Sequence, residues 1–157
     1  DRFAAAAALA AEGKQLEAAE AFRILVAEAQ EGYALLSRFR SVDALKEAGD
    51  TSGAVAVLEA IAEDNGVDAL YRDLATLLSI MHVLDDDDPN ELRTRLIPLI
   101  AIDGAWRHSA RELSAALALR IGDKELAKSE FKKLADDLMA PSGVRSRAAE
   151  ILQILGR

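Results

Sequence analysis

The stretch GDKELAKSEF at residues 122–131 carries the pattern from which the fold is predicted. A glycine opens it, an alanine follows five residues later, and a bulky apolar residue follows four residues after the alanine. The pattern occurs first as Gly13, Ala18 and Phe22, then as Gly49, Ala54 and Leu58, and last as Gly122, Ala127 and Phe131. In a degenerate fourth copy Asp87, Leu92 and Leu96 take these places. The copies thus begin at positions 13, 49, 87 and 122, and this near-constant period indicates stacked helical hairpins.

Each position of the pattern has a physical role. Glycine ends the first helix of a hairpin, because it adopts a left-handed backbone at little cost. The alanine lets the second helix approach closely, and the bulky residue fills the groove between hairpins. We therefore predict an all-α, right-handed superhelix of about four tetratricopeptide-like hairpins with a C-terminal capping helix, forming one domain over residues 1–157.

The predicted helix boundaries follow from the glycines, the prolines and the apolar periodicity. The first helices of the hairpins are predicted at 3–12, 33–48, 68–84 and from 103–104 to 121, with Met81 and Ile121 on their core stripes. The second helices are predicted at 16–30, at 51–63, from Pro89 with an interruption near Pro98, and at 124–139. The last helix begins at Pro141. Because the first hairpin is shorter than the others, we expect a longer parent chain in which any membrane anchor precedes Asp1.

Composition narrows the class of function. Hydrophobic residues make up 51% of the chain and aromatic residues only 4%, which is typical of closely packed helices. The absence of cysteine excludes a disulfide framework and a thiolate metal site. A net charge of −8 argues against nucleic acid as a partner.

Further positions repeat inside the first helices. An aromatic residue lies at a constant distance before three of the repeat starts, as Tyr33, Tyr71 and Trp106. Midway between each aromatic residue and its repeat start lies a serine, as Ser41, Ser79 and Ser114. Arginine recurs at two further equivalent positions, as Arg72 with Arg107 and as Arg38 with Arg111. We expect the serines to allow close packing. We predict that first helices line a concave surface whose edge is marked by the aromatic residues and the arginines. Arg72, Arg107 and Arg111 are predicted to bind a partner's carboxylates there. The alternative is that the arginines pair within the chain, for example Arg72 with Asp68.

No pattern of residues predicts catalysis. His82 and His108 lie on different hairpins and lack the spacing of a zinc site. The four aspartates at 85–88 lack the alternation of a calcium loop, so we predict a solvated turn that favours the N-terminus of the next helix. Phosphate loops and nucleophile motifs are missing as well. We therefore expect no enzyme activity, no cofactor and no metal.

The repeat resembles the tetratricopeptide repeat, although the bulky residues inside the first helix are displaced. A sharper likeness covers residues 71–155, through YRDLATLL (71–78), LIPLIA (96–101), WRHSARE (106–112), GDKELAKSEFKKL (122–134) and APSGVRSRAAEILQIL (140–155). These segments resemble the tetratricopeptide-like periplasmic domain of the ancillary subunit of the bacterial Sec translocon, whereas residues 1–70 match only in general style.

Members of that family have a short cytoplasmic start, one transmembrane helix and a periplasmic helical domain. The resemblance implies a protein-binding scaffold on the periplasmic side of the inner membrane, beside the translocon and periplasmic chaperones. A cytosolic adaptor or oligomerisation module with the same fold is the alternative, and a parent sequence without a transmembrane helix would distinguish it.

Overall fold

The computed structural model describes residues 2–28, 31–101 and 103–156, and these residues form helices joined by short turns. The helices are α1 (Arg2–Ala11), α2 (Gln15–Glu28), α3 (Glu31–Glu47), α4 (Thr51–Ala62), α5 (Ala69–His82), α6 (Pro89–Ala101), α7 (Arg107–Ile121), α8 (Lys124–Asp136) and α9 (Ser142–Leu155). The described residues contain no strand, so the prediction of an all-α class is confirmed. None of these helices is long and apolar enough to cross a membrane.

Three glycines end first helices in the same way. Gly13, Gly49 and Gly122 have φ values of 80°, 80° and 88°. The residue after each glycine donates its backbone N–H to a carbonyl five residues earlier, as in the 3.0 Å bond from Asp123 N to Ala118 O. This is the Schellman arrangement, in which a left-handed glycine lets the last carbonyls of a helix be satisfied. The predicted role of the glycines is confirmed.

The residue after the glycine then begins the next helix. Asp50 Oδ1 accepts from the N–H of Gly53 at 2.9 Å, and Asp123 Oδ1 accepts from the N–H of Leu126 at 3.0 Å. Because the first N–H groups of a helix have no partner inside it, these carboxylates stabilise the start of α4 and α8. A Gly-Asp dipeptide therefore ends one helix and starts another.

In the degenerate copy of the repeat, the turn at Asp87 has a different backbone conformation. Asp87 does not take the left-handed conformation, since no described residue other than glycine has a positive φ. The turn between α5 and α6 is longer, and Arg120 of α7 donates to the carbonyls of Leu84 and Asp87. Asp88 accepts from the N–H of Asn90 at 2.8 Å and starts α6. The four aspartates are exposed, as predicted for a solvated turn.

The alanine and bulky positions of the repeat form the core. The side chains at these positions are all buried: Ala18, Phe22, Ala54, Leu58, Leu92, Leu96, Ala127 and Phe131. Ser41, Ser79 and Ser114 are buried as well, as expected for a position at which helices pack closely. The alanine, bulky and serine positions of the repeat therefore form the interior of the protein.

The chain divides into two compact units, the first ending at His82 and the second beginning at Val83. In the first unit α1 to α5 pack in sequence order, each on the next. In the second unit α6 packs on α7, α7 on α8, and α9 on both α8 and α7. The helices predicted to pair as the third hairpin, α5 and α6, belong to different units. The single domain and the right-handed superhelix remain predictions.

The last helix covers the end of the second unit. Val144 and Ala148 of α9 are buried in the same cluster as Ala127, Phe131 and Leu134 of α8. Arg147 donates from Nε and Nη2 to the two carboxylate oxygens of Glu112 in α7, at 2.7 and 2.9 Å. The next-to-last helix therefore keeps its apolar side covered.

Several sequence-based boundaries and positions were wrong. Helix α6 continues through Pro98 to Ala101, where an interruption was predicted. Helix α8 ends at Asp136 instead of Met139, because Asp137 has an extended backbone. Met81 and Ile121, predicted on core stripes, are 51% and 38% exposed. The predicted end of the second helix at Gln30 lies outside the described residues.

Candidate protein-binding site

Two of the predicted arginines meet at the turn between α4 and α5. Arg38 Nη1 lies 2.7 Å from Asp64 Oδ2, and Arg72 Nη1 donates to Asn65 Oδ1 at 3.0 Å. Asp64 Oδ1 also accepts from the N–H of Gly66 at 2.9 Å. The hydrogen bond from Arg38 lowers the pKa of the Asp64 carboxyl, and the N–H of Gly66 and the charge of Arg72 lower it further. The turn is thus the meeting point of α3, α4 and α5.

A second cluster of the same kind lies in the second unit. The buried His108 places Nε2 2.9 Å from Asp137 Oδ2 and 3.3 Å from Arg107 Nε. Asp137 Oδ1 accepts from the N–H of Met139 at 2.9 Å. That backbone hydrogen bond lowers the pKa of Asp137, and His108 and then Arg107 add to the effect. Arg107 also forms an ion pair with Asp103.

The two aspartates hold equivalent places in the repeat. The stretch of chain from Gly49 to Asp64 is as long as the stretch from Gly122 to Asp137. Each aspartate accepts from the N–H two residues later, and each binds a side chain from the first helix of its own hairpin. We call Asp64 and Asp137 the turn aspartates. They were not predicted from the sequence, although their common distance from the glycines is visible there.

The remaining predicted arginine also has a partner within the chain. Arg111 Nε lies 3.6 Å from Glu130 Oε2, and Lys133 Nζ lies 2.7 Å from Glu130 Oε1. All four predicted arginines are therefore paired or hydrogen-bonded inside their own unit, in agreement with the alternative stated above. Arg72 does so with Asn65, where Asp68 was the expected partner. Binding of a partner's carboxylates by these arginines remains a prediction.

The three predicted aromatic residues differ in their surroundings. Tyr33 is 59% exposed, and its ring lies edge-on to Phe3 of α1 with 6.0 Å between the ring centroids. The ring of Tyr71 is exposed near the start of α5. Trp106 is half-buried directly before α7. In the first unit, Tyr33 of α3 thus contacts α1 of the preceding hairpin.

The histidine outside the two clusters, His82, contacts the backbone of its own helix. His82 places Nδ1 2.9 Å from the carbonyl of Leu78, one turn earlier in its own helix. Among the residues that the structure describes, no three histidine, aspartate or glutamate side chains lie close enough to share a metal ion.

The first unit has an open groove bounded by α2, α3 and α4, with a volume of about 450 Å³. We call it the α2–α4 groove; it is lined by Arg23, Val26, Ala27, Arg38, Ser41, Ala56, Val57 and Ala60. Its polar groups are already held in place. Arg23 donates from Nε and Nη2 to Glu20 at 2.7 and 2.6 Å, and Ser41 Oγ donates to the carbonyl of Arg38 at 2.7 Å. Between these polar groups, the groove is lined by small aliphatic side chains.

Of the predicted binding residues, only Arg38 lines this groove. The rest of the lining was not predicted, because exposed alanines and partly buried valines on second helices carry no signal of a binding groove. No protein-family model, curated protein or solved structure matches the chain.

Proposed function

We propose that this protein is a protein-binding scaffold and that the α2–α4 groove receives an amphipathic helix or peptide. The observation that carries the proposal is an open apolar groove whose walls are formed by three helices. Ligand sites are commonly concave and apolar, with a few fixed polar groups. Amphipathic helices bind in such grooves through their apolar face.

The lining of the groove defines the chemistry of the ligand. Alanines on α2 and α4 leave room for branched aliphatic side chains, which would contact Val26 and Val57. Arg23 and Arg38 belong to the lining, and each is already bound to a carboxylate of the chain. A guanidinium has five N–H donors, so each arginine can bind a second carboxylate from the ligand. The expected ligand is a helix with aliphatic residues on one face and acidic residues beside them.

A preformed groove favours binding because little ordering is required of the receptor. Arg38 is fixed by Asp64, which is itself fixed by the turn after α4. The side chain therefore loses little conformational freedom when a ligand arrives. Asp64 thus holds Arg38 in a fixed conformation before the ligand binds.

We further propose, from the resemblance of residues 71–155, that the scaffold works on the periplasmic side of the bacterial inner membrane. Its partners there would be subunits of the Sec translocon and periplasmic chaperones. This setting rests on the sequence resemblance alone. The groove lies in the other part of the chain, so the two proposals can be tested separately.

The test is photo-crosslinking in cells that produce the full-length protein. A photoreactive amino acid replaces Ala60 in the groove and, in separate variants, Arg72, Arg107 and Arg111. Ala8, an exposed alanine on α1 outside the groove, is the control position. Captured proteins are identified by mass spectrometry. We expect position 60 to capture a partner that position 8 does not capture.

The identity of the captured protein separates the proposals. Translocon subunits or emerging periplasmic chains would support the periplasmic setting. Cytosolic proteins alone would contradict that setting while leaving the groove as a binding site. Equal capture from positions 60 and 8 would contradict the groove. Capture from positions 72, 107 or 111 without capture from 60 would indicate that the arginines, and not the groove, form the binding site.

A further inference from the structure

Two adjacent apolar side chains project from the turn between α8 and α9. Leu138 is 83% exposed and Met139 is 76% exposed, the largest values among the large apolar side chains that the structure describes. We call this pair the apolar tip. A single exposed leucine is common on protein surfaces, but adjacent apolar residues at the end of a turn form a surface suited to an apolar partner.

The backbone of this turn is fixed on both sides. Asp137 Oδ1 accepts from the N–H of Met139 at 2.9 Å, and the N–H of Ala140 donates to the carbonyl of Asp137 at 3.0 Å. Asp137 itself binds the buried His108, and Ala140 is buried. The apolar tip is therefore presented by an ordered turn, so that little backbone freedom is lost when a partner binds.

The turn after α4 has the same hydrogen bonds without an apolar tip. Asp64 Oδ1 accepts from the N–H of Gly66 at 2.9 Å, and the N–H of Val67 donates to the carbonyl of Asp64 at 3.0 Å. Asn65 and Gly66 thus take the places that the apolar tip holds in the second unit. Because the turn forms with a polar residue and a glycine, its geometry does not require leucine and methionine. Their apolar character therefore has a role other than forming the turn.

Other apolar side chains lie at the same end of the second unit. Helix α6 packs on α7 and is joined to it by a short connection, so the end of α6 lies beside the start of α7. Ile97, near the end of α6, is 60% exposed. Trp106 is half-buried directly before α7, and the contact between His108 and Asp137 brings the start of α7 to the turn that carries the apolar tip. Tryptophan, with an apolar body and a polar N–H, is typical of the membrane–water interface.

The part of the chain that carries the apolar tip is its basic part. Residues 107–157 contain ten lysines and arginines and seven aspartates and glutamates, a formal net charge of +3, whereas the whole chain has −8. Lys132 and Lys133, in the last turns of α8, have side chains that are 72% and 56% exposed. Each contacts one carboxylate of its own helix, and an ammonium group has two further donors. These charges complement an anionic surface.

We propose that the apolar tip inserts into the interface of an anionic lipid bilayer. A typical specific protein interface buries about 800 Å² on each partner, far more than two side chains provide. A bilayer needs no complementary shape, and removal of one leucine-sized side chain from water strengthens binding about tenfold or more. Methionine is flexible and adapts to irregular apolar surroundings. Binding by the tip is weak and reversible, and the basic residues add to it.

The test is co-sedimentation of the chain of residues 1–157 with lipid vesicles over a range of lipid concentrations. One set of vesicles contains equal parts of phosphatidylglycerol and phosphatidylcholine, and the other contains phosphatidylcholine alone. The variant L138N/M139G gives this turn the residues of the turn after α4, which forms with them. L16N is the control, since Leu16 is 64% exposed in the first unit. Circular dichroism checks that each variant keeps its helices.

We expect the unsubstituted chain and L16N to bind the anionic vesicles, and L138N/M139G to bind them at least about tenfold more weakly. Binding to phosphatidylcholine alone should be weaker, and added salt should weaken binding to the anionic vesicles. An unsubstituted chain that stays in solution with anionic vesicles would overturn the proposal and leave a pocket of another protein as the partner of the tip. Unchanged binding by folded L138N/M139G would overturn it too, as would an equal loss in L16N or equal binding to both kinds of vesicle.

A fluorescent label gives a second measurement that leaves Met139 in place. The chain has no cysteine, so L138C and N65C each accept one environment-sensitive label at equivalent places in the two turns. We expect anionic vesicles to shift the emission of the label at position 138 to shorter wavelength and to leave the label at position 65 unchanged. A shift at neither position, or an equal shift at both, would contradict insertion of the tip. These outcomes are independent of the proposed ligand in the α2–α4 groove, which lies in the first unit.

Discussion

The turn aspartates show how one side chain joins three parts of a hairpin. Asp64 and Asp137 each bind the backbone of the turn after a second helix and a side chain of the first helix. Their partners, Arg38 and His108, hold positions in the repeat that are roughly one helical turn apart on the first helix. Different partners can thus serve the same aspartate.

We expect D137N to destabilise the second unit at neutral pH and to have little effect in strong acid. The folded protein lowers the pKa of Asp137, so the stability from its charge is present above the usual carboxyl pKa. It is lost as the pH falls through the lowered value. Urea denaturation of the wild type and D137N at a series of pH values measures the difference.

The control is D136N, which removes the same charge one residue earlier. Asp136 is exposed and pairs with Lys132 on the surface of α8, at 2.7 Å, and such pairs contribute little. A D137N protein as stable as D136N at neutral pH would contradict the role of the turn aspartate. So would a D137N effect that persists after the carboxyl is protonated.

Two glycines permit a matched comparison of backbone effects. Gly122 has a φ of 88°, and an added Cβ would meet nothing within 4 Å. G122A should therefore cost about 1–2 kcal/mol through left-handed strain alone. Gly32 is the second residue of α3 and also has open space around it, so G32A should stabilise by up to about 0.5–1 kcal/mol. Urea denaturation that gives both substitutions the same sign would contradict this account.

At the scale of the helix, Pro98 is the clearest departure from expectation. Helix α6 contains Pro98 in its last turn, although proline removes a donor and its ring clashes with the preceding turn. Leu92, Leu96 and Leu99 of the same helix are buried. Their packing outweighs the local cost, which is a tertiary effect that propensity does not report.

We expect P98A to stabilise the protein by up to about 3 kcal/mol, because Pro98 is exposed and alanine restores the missing donor. The midpoint of urea unfolding measures the gain. I97A, at the exposed neighbour, is the control and should be nearly neutral. An unchanged or lower midpoint for P98A would indicate that the helix is adapted to proline.

Sequence reasoning predicted those elements whose cause is local. Gly13, Gly49 and Gly122 determine where first helices end, and the buried Phe22 and Phe131 follow from their fixed distance to the glycines. The end of α8 was missed, because Asp137, in the turn after α8, binds His108 of α7, which is far away in the sequence. The partner of Arg38, Asp64, was missed for the same reason, since Asp64 follows α4 whereas Arg38 lies on α3.

At the scale of the whole molecule, the two units each keep a complete version of the same design. Both contain a glycine turn, a buried alanine and bulky residue, and a turn aspartate bound to the first helix. The groove proposed to bind a ligand is present in the first unit. The groove forms where α2, α3 and α4 meet. Because its lining comes from three helices, no single segment of the sequence reveals it.

The most direct test of the proposed scaffold is the affinity of A60W for the partner captured from position 60, measured by isothermal titration calorimetry. Ala60 is exposed on α4, so tryptophan should fill the groove without disturbing the core. A8W, on exposed Ala8 of α1, is the matched control. We expect A60W to weaken binding at least about tenfold, or about 1.4 kcal/mol, and A8W to bind like the wild type. Wild-type affinity in a folded A60W protein would contradict the assignment of the groove as the binding site.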